Sequence, residues 1–168
     1  MTTRTRITDR IAADPGIHFS ALVRELDLAP GQVQYHVHRL LRADALVEES
    51  LYGRTHYYPT GYDAFERRAL ALARRETSRD VLVALLDGDR RAGALTDDLD
   101  LARSTLSYHV NRLVDVGLVE KRKDARQRVE LSLVDPGRTA RILADIEPSL
   151  PERLVDRLER LLDSVFEP

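Results

Sequence analysis

The chain contains no cysteine and no tryptophan, and its only lysines are Lys121 and Lys123. Without cysteine, disulfides, thiol catalysis and Cys-based zinc sites are excluded. Aromatic residues make up 5% of the sequence, so the core must be built from Leu, Val, Ile and Ala. The longest purely apolar run, Val81 to Leu86, falls far short of the ~20 residues that span a bilayer. The start, Met-Thr-Thr-Arg, lacks the apolar stretch of a signal peptide. A soluble cytoplasmic protein with no membrane partner is therefore expected. There is no Gly-rich phosphate loop and no HExxH pattern, and Asp97, Asp98 and Asp100 read as surface and capping groups of a helix and its turn. Neither an enzyme nor a cofactor or metal is expected. The near-absence of lysine beside abundant arginine points to a GC-rich genome, and low lysine with abundant acid is also common in halophiles.

What is present is an ordinary globular composition: 168 residues, 43% hydrophobic and 32% charged, with a formal net charge of −2. That length makes one domain or two of about 80 residues. No strongly basic body is available for nucleic acid, but a local patch can bind phosphate where the total charge does not reveal it.

An internal repeat settles the organisation. The stretch Ala21-Leu-Val-Arg-Glu-Leu-Asp-Leu-Ala-Pro-Gly-Gln-Val-Gln-Tyr-His-Val-His-Arg-Leu40 aligns without gaps on Ala94-Leu-Thr-Asp-Asp-Leu-Asp-Leu-Ala-Arg-Ser-Thr-Leu-Ser-Tyr-His-Val-Asn-Arg-Leu113, and eleven of the twenty positions are identical. With one residue deleted, Ala45-Leu-Val-Glu48 continues onto Gly117-Leu-Val-Glu120. The expected division is a first unit at 1–60, a bridging helix at 61–76, a second unit at 77–134 and a C-terminal helical segment at 135–168.

Each copy reads as helix, helix, helix, hairpin. Ile7 and Ile11 mark a first helix ended by Asp14-Pro15-Gly16; Val81, Leu82, Leu85 and Leu86 mark its twin, closed by Gly88. Second helices are expected near 18–26 and 92–99, and third helices near 30–42 and 103–115. The apolar stripes of the third helices are Val33, Val37, Leu40 and Leu41, and Leu106, Val110, Leu113 and Val114. Pro30 suits a first helical position. After each third helix the period shifts to strands around the tips Tyr52-Gly53-Arg54 and Lys123 to Arg126.

These residues resemble winged helix-turn-helix DNA-binding domains, twice over, of the kind found in archaeal and bacterial transcriptional regulators similar to the ArsR and MarR groups. Ser104-Thr-Leu-Ser-Tyr-His-Val-Asn-Arg-Leu-Val-Asp-Val-Gly-Leu-Val-Glu120 carries the resemblance throughout. Gly31-Gln-Val-Gln-Tyr-His-Val-His-Arg-Leu40 carries it more weakly, with Asp44-Ala45 where the second copy has Val-Gly. The resemblance covers roughly 1–134. It implies a mainly α fold with small β-hairpin wings and a protein that binds double-stranded DNA as a transcriptional regulator.

On a helical wheel, Gly31, Tyr35, His38, Arg39 and Arg42 lie opposite the first stripe, with Gln32 and Gln34 at the edges. In the second copy the outer face holds Ser104, Thr105, Ser107, Tyr108, Asn111 and Arg112. Any surface helix has a polar outside, but packing does not require Tyr and Arg to recur there. Gln and Arg can read bases in a major groove, and short hydroxyls at a helix start allow phosphate to approach. The wings add Arg54 in the first copy and Lys121, Lys123, Arg126 and Arg128 in the second, suited to the DNA backbone. Arg67, Arg68, Arg74, Arg75 and Arg79 on the bridging helix rank below the wing. His36 and His109 sit at the stripe edge as packing residues; His36 and His38, two apart, face different ways and make no metal pair. Leu154, Leu158, Leu161, Leu162 and Val165 form a heptad-like stripe suited to a partner helix, so a homodimer is expected. A cytoplasmic, nucleoid-associated regulator is the main reading. The competing one is a protein-interaction module in a chromosome-segregation or transcription assembly, favoured by the near-neutral charge and by Glu48 and Glu49.

Overall fold

The computed structural model describes residues 1–146. These divide into two compact units, Met1–Ala71 and a second that begins at Leu72. In the first, α1 (Thr3–Ala13), α2 (Phe19–Leu26) and α3 (Pro30–Arg42) precede the hairpin of β2 (Leu46–Leu51) and β3 (Arg54–Pro59). The second repeats the order with α5 (Glu76–Leu85), α6 (Ala92–Leu99), α7 (Arg103–Val116), β5 (Val119–Lys123) and β6 (Val129–Leu133), and adds α8 (Pro136–Asp145). Two-residue strands that the hydrophobic pattern is too short to reveal, β1 (Ile17–His18) and β4 (Arg90–Arg91), complete antiparallel sheets of order β1-β3-β2 and β4-β6-β5. The fold is mainly α with small wings, the winged helix-turn-helix architecture in two copies.

The apolar stripes become the cores. In the first unit Ile7, Ile11, Leu22, Val33, Val37 and Leu40 pack with Ile17, Leu46 and Tyr57. In the second, Val81, Leu82, Leu85, Leu95, Leu106, Val110 and Leu113 are buried, with Leu118 and Leu131 from the wing. Each such side chain contributes about 1.5–3 kcal/mol on leaving water. At the end of α1, the buried Asp14 carboxylate is held by Arg10 at 3.1 Å, and Arg10 also meets Glu25 of α2. A buried carboxylate of this kind needs such a partner.

The turn between second and third helices is set by one residue in each copy. Asp27 and Asp100 take left-handed backbone (φ 51 and 52). Beyond them Leu28 donates to the Val23 carbonyl and Leu101 to that of Thr96, the reversal that ends a helix. The third helices end the same way: Ala45 donates to Leu40 O (2.9 Å) with Asp44 at φ 53, and Leu118 to Leu113 O (2.9 Å) with Gly117 at φ 91. Asp44, not Ala45, is therefore the counterpart of Gly117. The offset of 73 therefore runs on through this turn, from Ala45 and Leu118 to the strand starts Leu46 and Val119, and the one-residue deletion expected here is corrected. A short polar side chain tolerates the left-handed region that glycine adopts freely.

The helix expected over 61–76 is shorter: α4 spans Ala64–Ala73 and crosses the boundary between the units. Asp63 sets its start. Its carboxylate accepts from the Glu66 N–H (2.8 Å) while the Glu66 carboxylate accepts from the Asp63 N–H (2.8 Å), a reciprocal cap. The C-terminal helix is described over Pro136–Asp145, where Asp135 accepts from the Arg138 N–H. The expected dimer stripe Leu154, Leu158, Leu161, Leu162 and Val165 lies outside the described residues. Among the described residues, no helix is long and apolar enough to cross a membrane, and no group of three acidic or histidine side chains could hold a metal.

Candidate nucleic-acid interface

In the first unit, α3 buries Val33, Val37 and Leu40, with Leu41 partly buried against the core and His36 half-buried. Gly31, Gln32, Gln34, Tyr35, His38, Arg39 and Arg42 are all exposed. Gly31, Gln34, Tyr35, His38, Arg39 and Arg42 line one open depression of about 780 Å³. Tyr35 is 55% exposed, an unusual place for a large ring. Its hydroxyl accepts from Arg39 Nη1 at 2.7 Å, which leaves the phenolic hydrogen available to donate outward.

The same pair is built differently in the second unit. There the Arg112 guanidinium lies over the Tyr108 ring, 4.1 Å from its centroid, against 5.6 Å for Arg39 over Tyr35. Arg112 is half-buried, so the open outer face expected for it is corrected: it props the ring, and Tyr108, 49% exposed, is the group presented. Thr105 is likewise half-buried, whereas Ser104, Ser107 and Asn111 are exposed. Lys121 of β5 donates to the Asn111 amide oxygen, so the Asn111 N–H₂ group points away from that bond as a donor.

His36 and His109 are half-buried, in keeping with packing positions. His109 Nδ1 is 3.0 Å from the Ser78 hydroxyl on α5. Burial, then the nearby Arg112 and Arg75 charges, push its pKa below the ordinary histidine value and favour the neutral ring.

The wings differ in tip and charge. The first closes through Tyr52 and Gly53, both at positive φ, the two-residue turn that matches strand twist. Arg54 follows at the tip and is exposed. Glu49 does not extend an acidic face: it is held by Arg67 at 2.8 Å and by Arg68 at 3.7 Å. Those two arginines thus serve the wing's attachment to α4. In the second wing Asp124 organises the tip, its carboxylate accepting from the N–H groups of Arg126 (2.8 Å) and Arg128 (3.0 Å) and from the Arg128 guanidinium (2.8 Å). The Arg128 N–H bond first of all holds the Asp124 pKa below the usual carboxylate value; burial opposes it, and the Arg126 N–H and the Arg128 guanidinium add to the lowering. Arg128 is therefore committed to the tip. Lys123 and Arg126 project with no side-chain partner among the described residues.

Gly31 sits in the first turn of α3 with ordinary helical backbone, and a Cβ there would meet nothing within 4 Å. Neither conformation nor packing calls for glycine, and helical glycine costs up to about 1 kcal/mol against alanine. Gly31→Ala is expected to raise the unfolding midpoint slightly while weakening the binding of a nucleic-acid ligand at this candidate face, because the added methyl stands where a ligand backbone would approach. Unchanged affinity in a fluorescence-anisotropy titration would remove the start of α3 from the interface.

The chain matches two protein-family models: residues 1–70 match an N-terminal HTH domain, and residues 75–121 match the bacterial regulatory protein, arsR family. An uncharacterized HTH-type transcriptional regulator of Methanocaldococcus jannaschii is 25% identical over 127 residues, 76% of this chain. The chain spans about a third (32%) of that relative's length. Among solved structures, HlyU from Vibrio cholerae N16961 aligns at a TM-score of 0.41 and 27% identity, covering 61% of this chain and 92% of HlyU. Reduced AbfR bound to DNA aligns at 0.42 and 18% identity, covering 82% and 94%. Each half of the chain thus carries a helix-turn-helix domain.

Proposed function

We propose that this chain, with its two winged helix-turn-helix domains, is a sequence-specific, double-stranded DNA-binding transcriptional regulator. The observation that carries the reading is the repeated outward face. In both copies the third helix buries only its aliphatic stripe and leaves a tyrosine half-exposed beside an arginine, with amides or hydroxyls around it. Cores do not need that repetition, whereas major-groove reading does, since a helix there must present donors and acceptors along one side. Gly31, Gln32, Gln34, Tyr35, His38, Arg39, Arg42, Ser104, Ser107, Tyr108 and Asn111 form the helix part of the footprint. Arg54, Lys121, Lys123 and Arg126 supply the wings. A homodimer through the C-terminal stripe, and action on chromosomal DNA in the cytoplasm, belong to the same proposal. The acidic start of the first wing, which favours a protein-interaction module, loses its force because Glu49 is neutralised within its own unit.

The test is a salt titration of binding to mixed-sequence and selected duplexes. Binding through several phosphates falls steeply with salt, and a preferred site should bind about 10³-fold or more tighter than random sequence. Failure to bind any duplex at low salt overturns the proposal.

A further inference from the structure

Because the two units are copies, positions at which they differ on the same surface reveal what one has that the other lacks. At the offset of 73 that aligns them, His18 becomes Arg91 and Pro30 becomes Arg103. Both changes fall at helix starts, at the residue before α2 or α6 and at the first residue of α3 or α7.

The local chemistry differs accordingly. In the first unit the His18 ring accepts the Ala21 N–H at 3.2 Å, closing the first turn of α2. Pro30 brings neither charge nor N–H. In the second unit Arg91 makes no side-chain cap, so the first N–H groups of α6 are not capped by it. Gly93, in that turn, has open space where a Cβ would stand.

These features border a groove of about 630 Å³ between the starts of α6 and α7 and the edge of β6. Arg91, Arg103, Arg128 and Ser107 line it, with Leu106 at its floor and Val129 as its exposed apolar side. Val129 is 37% exposed, a large aliphatic side chain left in water beside guanidinium groups. Acid is present too. Asp97 lines the groove, and Asp124 holds Arg128 at 2.8 Å and approaches Arg91 at 3.9 Å. Arg103 has no partner among the described residues and remains a free cation. Three guanidiniums against two carboxylates leave the groove cationic. An apolar side beside it fits a sugar edge next to a phosphate better than it fits a bare inorganic anion.

We infer that this groove seats one backbone phosphodiester of duplex DNA, its deoxyribose against Val129 and its phosphate against Arg103 and Arg91. The second unit thereby holds the DNA backbone at a point where the first has no counterpart. The inference rests on the DNA-binding reading above and adds to it an unequal division of phosphate contacts between the copies.

The experiment is the salt dependence of full-length protein binding to one duplex. Arg91→Ala combined with Arg103→Ala should lower the slope of log K against log salt by about 0.9, the loss of one phosphate contact. Pro30→Ala, at the matching position of the first unit, should leave the slope unchanged. Arg103→Lys in the Arg91→Ala background should restore about one unit of slope, separating charge from any loss of folding. Wild-type protein that binds steeply salt-dependently, with the double variant keeping the full slope, overturns this inference and leaves the DNA-binding reading standing. No binding by the wild type at low salt overturns both. A parallel titration with inorganic phosphate, followed by amide shifts at Arg91 to Ala94, tests a free-anion site: saturation by phosphate with no change in duplex slope also overturns the inference.

Discussion

Replacing Lys123 and Arg126 together by alanine is expected to flatten the salt dependence of DNA binding by nearly two units of slope, the loss of about two phosphate contacts. Across a fourfold rise in salt, the parent protein should then lose roughly tenfold more affinity than the variant. The choice of residues comes from the second wing's internal bonding. Of the basic residues there, Arg128 is held by Asp124, Arg122 by Glu120, and Lys121 is bonded to Asn111. An arginine already paired releases fewer counterions on meeting phosphate, since it must first leave its carboxylate. Lys123 and Arg126 have no such commitment, and the Asp124 turn fixes the backbone from which Arg126 projects. Fluorescence anisotropy at several salt concentrations reads the slope directly. An unchanged slope would place this wing off the DNA, and an equal loss at every salt would point instead to a folding defect.

Leu113→Ala carries the largest expected cost in stability, about 2–5 kcal/mol, a sizeable part of what a domain this small has to lose. Leu113 is completely buried, and its carbonyl accepts the Leu118 N–H that turns the chain from α7 toward β5. Truncation leaves a void beneath the helix that presents Tyr108, so DNA binding should fall with stability. Its twin Leu40 is 7% exposed, and the void there opens toward solvent. Leu40→Ala should therefore cost less than Leu113→Ala, while Leu113→Met, which nearly conserves volume, should cost under about 1.5 kcal/mol. Denaturant unfolding of the three variants, monitored by circular dichroism, gives the order. Equal losses at Leu40 and Leu113 would mean that the two cores are packed alike despite their different exposure.

The duplication was legible because core packing writes itself into spacing. Val33, Val37 and Leu40 and their twins repeat at helical intervals, and the outer faces followed by subtraction. Residues whose role depends on a distant partner were not legible. Nothing local distinguishes Arg128 from Arg126, yet one is spent on Asp124 and the other is free. Nothing local distinguishes Arg39 from Arg112, yet one bonds a hydroxyl edge and the other stacks beneath a ring. Glu49 read as part of an acidic strand until α4 brought Arg67 against it. Asp63 and Glu66 did carry a readable signal, the Asp-x-x-Glu cap that starts α4 three residues later than the hydrophobic pattern suggested.

The amino-acid order alone determined that this protein has two aliphatic three-helix units, each with a hairpin and each with a hydrogen-bonding outer face, because periodic burial is a property of neighbours in sequence. Tertiary structure alone decided which cations remain available, which helix starts stay open and where a groove forms. Those outcomes depend on side chains far apart in the chain competing for the same charges and the same space.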